Sequence, residues 1–246
     1  MQVNLIDYTG YGTINPSRRA ANLLIFTKST RLQMNPSLMS DIESWDEDKI
    51  ETELKYMADS IPSSWEFVSL TFLIEDVTRA FTHQLVRTRT ASFAQQTMRV
   101  LDVSQGSGWK YGAGPTTENN KTYIETMKII ADSYKQMIAE GVNKEDARGI
   151  LPTNILTNIV MKIDMRNFIS MAHKRTSFRV QSEYRKIIGL MLIEVSKVYK
   201  WFYIFYRVNS AQAQTELSRM IQDNKSLSIQ EKIDFYKKLD IIKGEM

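Results

Sequence analysis

Phe67-Val68-Ser69-Leu70-Thr71-Phe72-Leu73-Ile74 sets Val68, Leu70, Phe72 and Ile74 at alternate positions, with Ser69, Thr71 and Leu73 between them. A period of two puts the first set on one side of an extended chain, so the stretch predicts a β-strand with one strongly apolar face. Just downstream, Asp76 offers an N-cap for a helix carrying Val77, Ala80, Phe81 and Leu85 along one side. Upstream, Ile61-Pro62-Ser63-Ser64 breaks a helix that opens at Asn35-Pro36 and runs to about Ala58. Pro16 opens another toward Arg31, after a Gly/Asn/Pro loop from Tyr8, and Met1 to Asp7 reads as a short strand without signal-peptide organisation. On the far side, residues 102–122 are a loop rich in Gly, Ser, Thr and Asn. Helices are expected at about 118–140, 153–162, 165–174 and 181–207, with a polar helical tail over about 209–246. Strands are few and nothing repeats. The expectation is an α+β fold forming a single domain over residues 1–246.

Ile187 to Tyr206 is apolar enough to resemble a membrane span, but Glu194, Lys197 and Lys200 lie inside it. Three charges in about 20 residues are costly in hydrocarbon, which favours a long core helix with one wet stripe. The 246 residues include no cysteine and two histidines, His83 and His173. That excludes disulfides, thiolate metal sites and a cysteine nucleophile, and leaves little from which to build a metal centre. It is compatible with a reducing compartment, and the expected location is cytoplasmic. A formal charge of +4 is too mild to imply nucleic-acid binding.

Two segments carry the chemistry. Val77 to Leu101 holds Arg79, Arg87, Arg89, Arg99 and His83 without one Asp, Glu or Lys. Guanidiniums with no local carboxylate need partners from elsewhere, and Arg is the side chain suited to bidentate phosphate recognition. Acids of other segments, or water, would serve equally well as partners. Ile163 to Lys186 is the second segment, with Arg166, His173, Lys174, Arg175, Arg179, Arg185 and Lys186 against Asp164 and Glu183; Arg148 stands alone before Leu151-Pro152. Together these suit a cleft for a polyanionic small molecule or a nucleic-acid groove. A single-strand binder interleaves stacking rings with its basic residues, and the first segment offers only Phe93. A nucleotide is favoured over a polymer.

Arg87-Thr88-Arg89-Thr90-Ala91-Ser92-Phe93-Ala94-Gln95-Gln96-Thr97-Met98-Arg99 resembles the signature of the flavin-dependent thymidylate synthases, R-H-R-x-x-S-x-N-x-x-S-x-R, with Gln84 three residues before its first Arg. Gly141 to Pro152 resembles that family's G-V-x-x-E-x-A-R-x-x-L-P segment, and Asp164-x-Arg166, Ser170 and Arg175 fall where it has N-x-R, Asn and Arg. The resemblance implies a curved, mostly antiparallel sheet packed with helices, in a homotetramer with shared active sites. It implies FAD, with NADPH and 5,10-methylenetetrahydrofolate as co-substrates, and one-carbon transfer to C5 of a deoxypyrimidine monophosphate. The expected reaction is deoxyuridylate to thymidylate, with no membrane or nucleic-acid partner.

Carried over residue by residue, Ser63, Arg87, Thr88, Arg89, Gln95, Asp164, Arg166 and Ser170 would hold the flavin cofactor. Gln84, Arg87, Gln95, Gln96, Thr97, Arg99 and Arg148 would hold the nucleotide, and Arg175 would act on the pyrimidine ring as the catalytic residue. Departures mark a divergent member: Thr88 replaces the signature His, Ala94 the Asn, Gln95 the usual Glu and Thr97 the Ser. Asp164 and Ser170 stand for Asn, and Arg179 stands where many members have His. Two alternatives stay open. A deoxycytidylate hydroxymethylase would use Asp164 to accept from the cytosine amino group, unless Asp164 only caps the helix that follows it. A non-catalytic basic nucleotide or nucleic-acid module would keep the fold and lose the chemistry.

Overall fold

The computed structural model describes residues 1–206 apart from 31, 33, 101, 103–109 and 178, together with residue 228. The elements in order are β1 (Gln2–Tyr8), α1 (Pro16–Lys28), α2 (Pro36–Glu43), α3 (Glu47–Ser60), a 3-10 turn over Pro62–Phe67, β2 (Ser69–Thr78), α4 (Arg79–Leu85), β3 (Ser92–Gln95), α5 (Lys121–Ala139), α6 (Lys144–Ala147), a second 3-10 turn over Arg148–Ile150, β4 (Leu156–Asp164), α7 (Met165–Arg175), α8 (Ser182–Val198) and α9 (Phe202–Phe205). The predicted tail over about 209–246 lies outside the described residues, residue 228 apart.

One four-stranded sheet runs in the order β1-β2-β4-β3, with every neighbouring pair antiparallel. The two central strands pair Leu70 with Ile163, Phe72 with Met161 and Ile74 with Ile159. All six side chains are buried, on the apolar face that the alternation in β2 predicts. Cross-strand apolar pairs of this kind are what hold a sheet in register. Against this face pack α7 and the aromatic C-terminal helices, through Phe72 on Phe168 at 5.4 Å and Phe168 on Phe202 at 6.1 Å. Leu24 and Ile25 of α1, Leu54 and Met57 of α3, and Tyr184, Ile187 and Met191 of α8 complete the same buried cluster. The α+β class therefore holds.

Four predicted elements differ. Residues 153–162 form no helix; β4 occupies Leu156–Asp164, where Thr157, Ile159, Met161 and Ile163 are buried at every second position. Leu156 and Val160 make its other face partly apolar too, so the run carries no polar beat to reveal its period. The helix expected from Asn35 to Ala58 is two, because Asp46 turns the chain and caps α3 by accepting from the Lys49 N–H at 2.8 Å. Asp76 is not a cap. It sits at φ 53 where the β2–β4 register shifts between Ile74 and Val77, and Thr78 caps α4 instead, accepting from the Phe81 N–H. A short polar side chain tolerates that left-handed backbone better than most.

The helix predicted over 181–207 ends at Val198. The Tyr199 hydroxyl donates to the Thr9 carbonyl at 2.7 Å, and the Trp201 indole donates to the Ser17 carbonyl at 2.9 Å. An unbroken helix would swing these rings away from both partners. Among the described residues no helix is long and apolar enough to cross a membrane.

Candidate active site

The arginine-bearing run begins where β2 ends. The Arg79 N–H donates to the Ile155 carbonyl at 3.1 Å and the Ala80 N–H to the Thr153 carbonyl at 2.7 Å, so the first turn of α4 is pinned to the strand entering β4. Beyond α4 the chain turns back as β3 and pairs with β4, setting Gln95 opposite Ile159. From there the Gln95 amide donates to the Thr82 hydroxyl at 2.9 Å, and Thr82 in turn donates to the Arg79 carbonyl. Arg99 lies further along, donating to Glu145 at 2.8 Å, and the Arg148 guanidinium donates to the Glu145 carbonyl at 3.1 Å. Four predicted or neighbouring groups, Gln95, Arg99, Arg148 and Arg79, are thereby drawn to one corner of the sheet.

Arg79 is the residue that sequence reasoning left without a role. Its guanidinium is partly buried, and Nη1 is sealed from solvent without a hydrogen-bond partner. Burial pushes its pKa down, and the like charge of Arg148 pushes it further. Among the described residues, no carboxylate pairs with Arg79, Arg87, Arg89, Arg148 or Arg175. Two guanidiniums facing each other across a half-dry space, without an acid between them, form a site whose missing component is an anion. The sequence signal was the absence of Asp and Glu from Val77 to Leu101; burial of one particular arginine within that run was not readable.

At the other end of α4 the two arginine segments meet. The Gln84 amide donates to Gln181 at 2.5 Å, and the Thr88 hydroxyl lies 3.6 Å from the Met171 sulfur on α7. Arg175, at the C-terminus of α7, places its guanidinium 5.0 Å over the Tyr184 ring. That ring is fully buried and meets Phe81 edge-on at 4.9 Å, so the platform under Arg175 is rigid. The Tyr184 hydroxyl is buried without a hydrogen-bond partner; its polar neighbours are Thr88 and Arg175, and desolvation raises its pKa.

The remaining predicted residues stand apart. Ser63 is exposed in the first 3-10 turn, and Arg166 at the start of α7 donates to Glu66 of that turn at 2.5 Å. Ser170 is exposed on α7. Asp164 caps α7: its two carboxylate oxygens accept from the Asn167 N–H at 2.9 Å and the Asn167 amide at 2.6 Å. Arg166 and Arg175 are separated by nine helical residues, about 14 Å along the axis. A single copy of the chain therefore does not bring Ser63 and Arg166 beside Arg175.

Gly112 closes the back of this corner. A Cβ there would lie 2.5 Å from Thr78 Cγ2 and 3.4 Å from Leu156 Cδ2. Thr78 is buried and hydrogen-bonded through both its N–H and its hydroxyl, so it cannot step aside. Gly112→Ala should destabilise the protein by about 1–3 kcal/mol through overpacking, visible as a lowered Tm.

Residues 5–199 match the model of the family described as Thymidylate synthase complementing protein. The chain belongs to that family. The match takes in every predicted site residue from Ser63 to Arg175 and stops at Tyr199, where α8 gives way to the anchored aromatic turn. Among curated relatives, the flavin-dependent thymidylate synthase of Geobacter sulfurreducens is 36% identical over 142 residues, covering 56% of this chain and 61% of that protein. That of Pyrococcus furiosus is 34% identical over 137 residues, 54% of this chain and 56% of that protein. That of Clostridium tetani is 30% identical over 220 residues, 80% of this chain and 83% of that protein. The chain thus spans under two thirds of the first two relatives and most of the third. Membership and resemblance agree on the arginine signature as the centre of the fold's chemistry.

Proposed function

We propose that this protein is a flavin-dependent thymidylate synthase, transferring a one-carbon unit from 5,10-methylenetetrahydrofolate to C5 of deoxyuridylate. The observation that carries the reading is the Arg79–Arg148 pair, two partly buried guanidiniums with no carboxylate partner among the described residues. A nucleotide 5′-phosphate is the anion that such a pair fits, with Arg99 and Gln95 beside it. Family membership and the names of the relatives point the same way.

The donor set also fits FAD. Arg87 and Arg89 are exposed and unpaired among the described residues, as a diphosphate would require, and Ser63, Thr88, Arg166, Ser170 and Gln95 offer further hydrogen-bonding groups. When bound, FAD reduced by NADPH would supply the hydride that converts the transferred carbon to a methyl group. The chain's own residues do the rest electrostatically. With no cysteine available to add to C6, activation of the uracil falls to Arg175, which donates toward O2 and N3 and stabilises negative charge developing there. Arginine stays protonated throughout, so it acts as a fixed electrophile. We place the reaction in the cytoplasm, in a homotetramer. The separation of Arg166 from Arg175 supports a site completed by a second copy.

Deoxycytidylate hydroxymethylation loses its motive here, since both oxygens of Asp164 are engaged by Asn167. No observation favours a nucleic-acid module. The test is to purify the protein, identify any flavin released on denaturation, and weigh the products formed from each monophosphate with methylenetetrahydrofolate and NADPH. The expected result is FAD, an assembly larger than one chain by light scattering, and a methyl gain on deoxyuridylate alone. Protein that takes up no FAD, or a hydroxymethyl gain on deoxycytidylate, would overturn the assignment.

A further inference from the structure

Glu183, in the first turn of α8, has no part in the site as described, yet its carboxylate reaches across 105 positions of sequence to one residue. Oε1 accepts from the Thr78 N–H at 2.8 Å and Oε2 from the Thr78 hydroxyl at 2.6 Å. The hydroxyl has a single proton. Committing it to Glu183 turns a lone pair toward the Phe81 N–H, which donates to Thr78 Oγ1 at 3.0 Å. A helix cap supplied by Thr78 is thus locked in orientation by an acid from another element, with charge-assisted bonds to both groups of the capping residue. Arg79 is the next residue. Two positions before Glu183, Gln181 accepts from Gln84 at the other end of α4.

We infer that Glu183 is a positioning residue for nucleotide binding, holding Thr78 and with it α4 so that Arg79 faces Arg148 across the phosphate position. This rests on the proposed nucleotide site. The geometry favours positioning over general stability because the clamp closes on the two ends of one short helix, and that helix bears the buried, unpartnered guanidinium. Nothing else that holds Thr78 fixes the direction of its hydroxyl. Glutamine at 183 keeps the size but replaces one acceptor by an NH2 group, which would face a donor and break one of the two bonds.

The experiment measures KM for deoxyuridylate, kcat and bound flavin in the holoenzyme and in Glu183→Gln, Thr78→Val, Thr78→Ser, Arg79→Met and the Glu183→Gln/Arg79→Met double variant. Glu183→Gln and Thr78→Val should each raise KM about 10-fold while kcat changes by about twofold or less, as expected when binding common to ground and transition states is lost. Thr78→Ser, which keeps the hydroxyl, should match the parent. In the Arg79→Met background, Glu183→Gln should add nothing further to KM, since the residue through which it acts is gone. Unchanged KM in Glu183→Gln, effects that multiply in the double variant, or parallel losses of KM, kcat and flavin would each overturn the inference. A parent protein that does not turn over deoxyuridylate would remove the functional reading and this role with it, and that failure shows before any variant is made.

Discussion

Arg175→Ala should lower turnover by about 100-fold or more while bound flavin is retained, the scale seen on removing one preorganised donor from a developing anion. Steady-state rates and the flavin absorbance of the purified variant check both halves. A purely structural Arg175 predicts something much smaller. At the C-terminus of α7 its charge would complement the helix dipole for about 0.3–1 kcal/mol, felt in Tm and scarcely in turnover. The observed geometry argues for the larger effect. The guanidinium lies over the fully buried Tyr184 ring rather than curling back onto the last carbonyls of α7, and it has no acid partner among the described residues. Stacking fixes its plane while leaving its N–H edges free to donate. Arg175→Lys keeps the charge but loses both the flat stacking surface and the fork, so it should recover only part of the loss. A turnover within a few-fold of the parent in Arg175→Ala would remove this residue from the reaction.

The strand β2 was readable because Ser69 and Thr71 punctuate its apolar residues, exposing the period of two. β4 was misread as helix because its outward face carries Leu156 and Val160, so no polar beat distinguishes a strand from a buried helical run. β3 went unseen for a different reason: four residues among arginines and glutamines carry no pattern at all. The end of α8 was hidden in the tertiary structure. Tyr199 and Trp201 have ordinary helical neighbours in sequence, and only their bonds to Thr9 and Ser17, more than 180 positions away, explain the break. Asp164 is the converse case, since its place just before α7 made a capping role legible and the Asn167 bonds bear that role out.

The candidate site divides along the same line. That Val77 to Leu101 holds several guanidiniums without an acid is a fact of composition, and it located the arginine corner correctly. Which arginine is buried, and which carboxylate from elsewhere satisfies which neighbour, depends on packing. Arg99 and Arg166 turned out to have partners in Glu145 and Glu66, whereas Arg79 has none among the described residues.

That difference orders the binding variants. Arg99 is largely exposed and already matched by Glu145, so a phosphate must compete for it, and Arg99→Ala should raise nucleotide KM by only a few-fold. Arg79 is partly buried, repelled by Arg148 and unmatched. A phosphate arriving between the two relieves the repulsion and supplies the missing acceptor at once. Truncating one member of a buried charged contact costs about 2–5 kcal/mol, so Arg79→Met should raise the KM for deoxyuridylate by about 30-fold or more. Methionine keeps the packed stem while removing the charge, and the stability of the ligand-free protein should therefore move the other way. In the free state the Arg79 charge is desolvated beside a like charge, which disfavours folding. Arg79→Met should melt no lower than the parent, and the stabilisation that saturating deoxyuridylate gives the parent should be largely lost. A lower Tm with unchanged KM would mean that Arg79 is a structural residue and that the phosphate lies elsewhere.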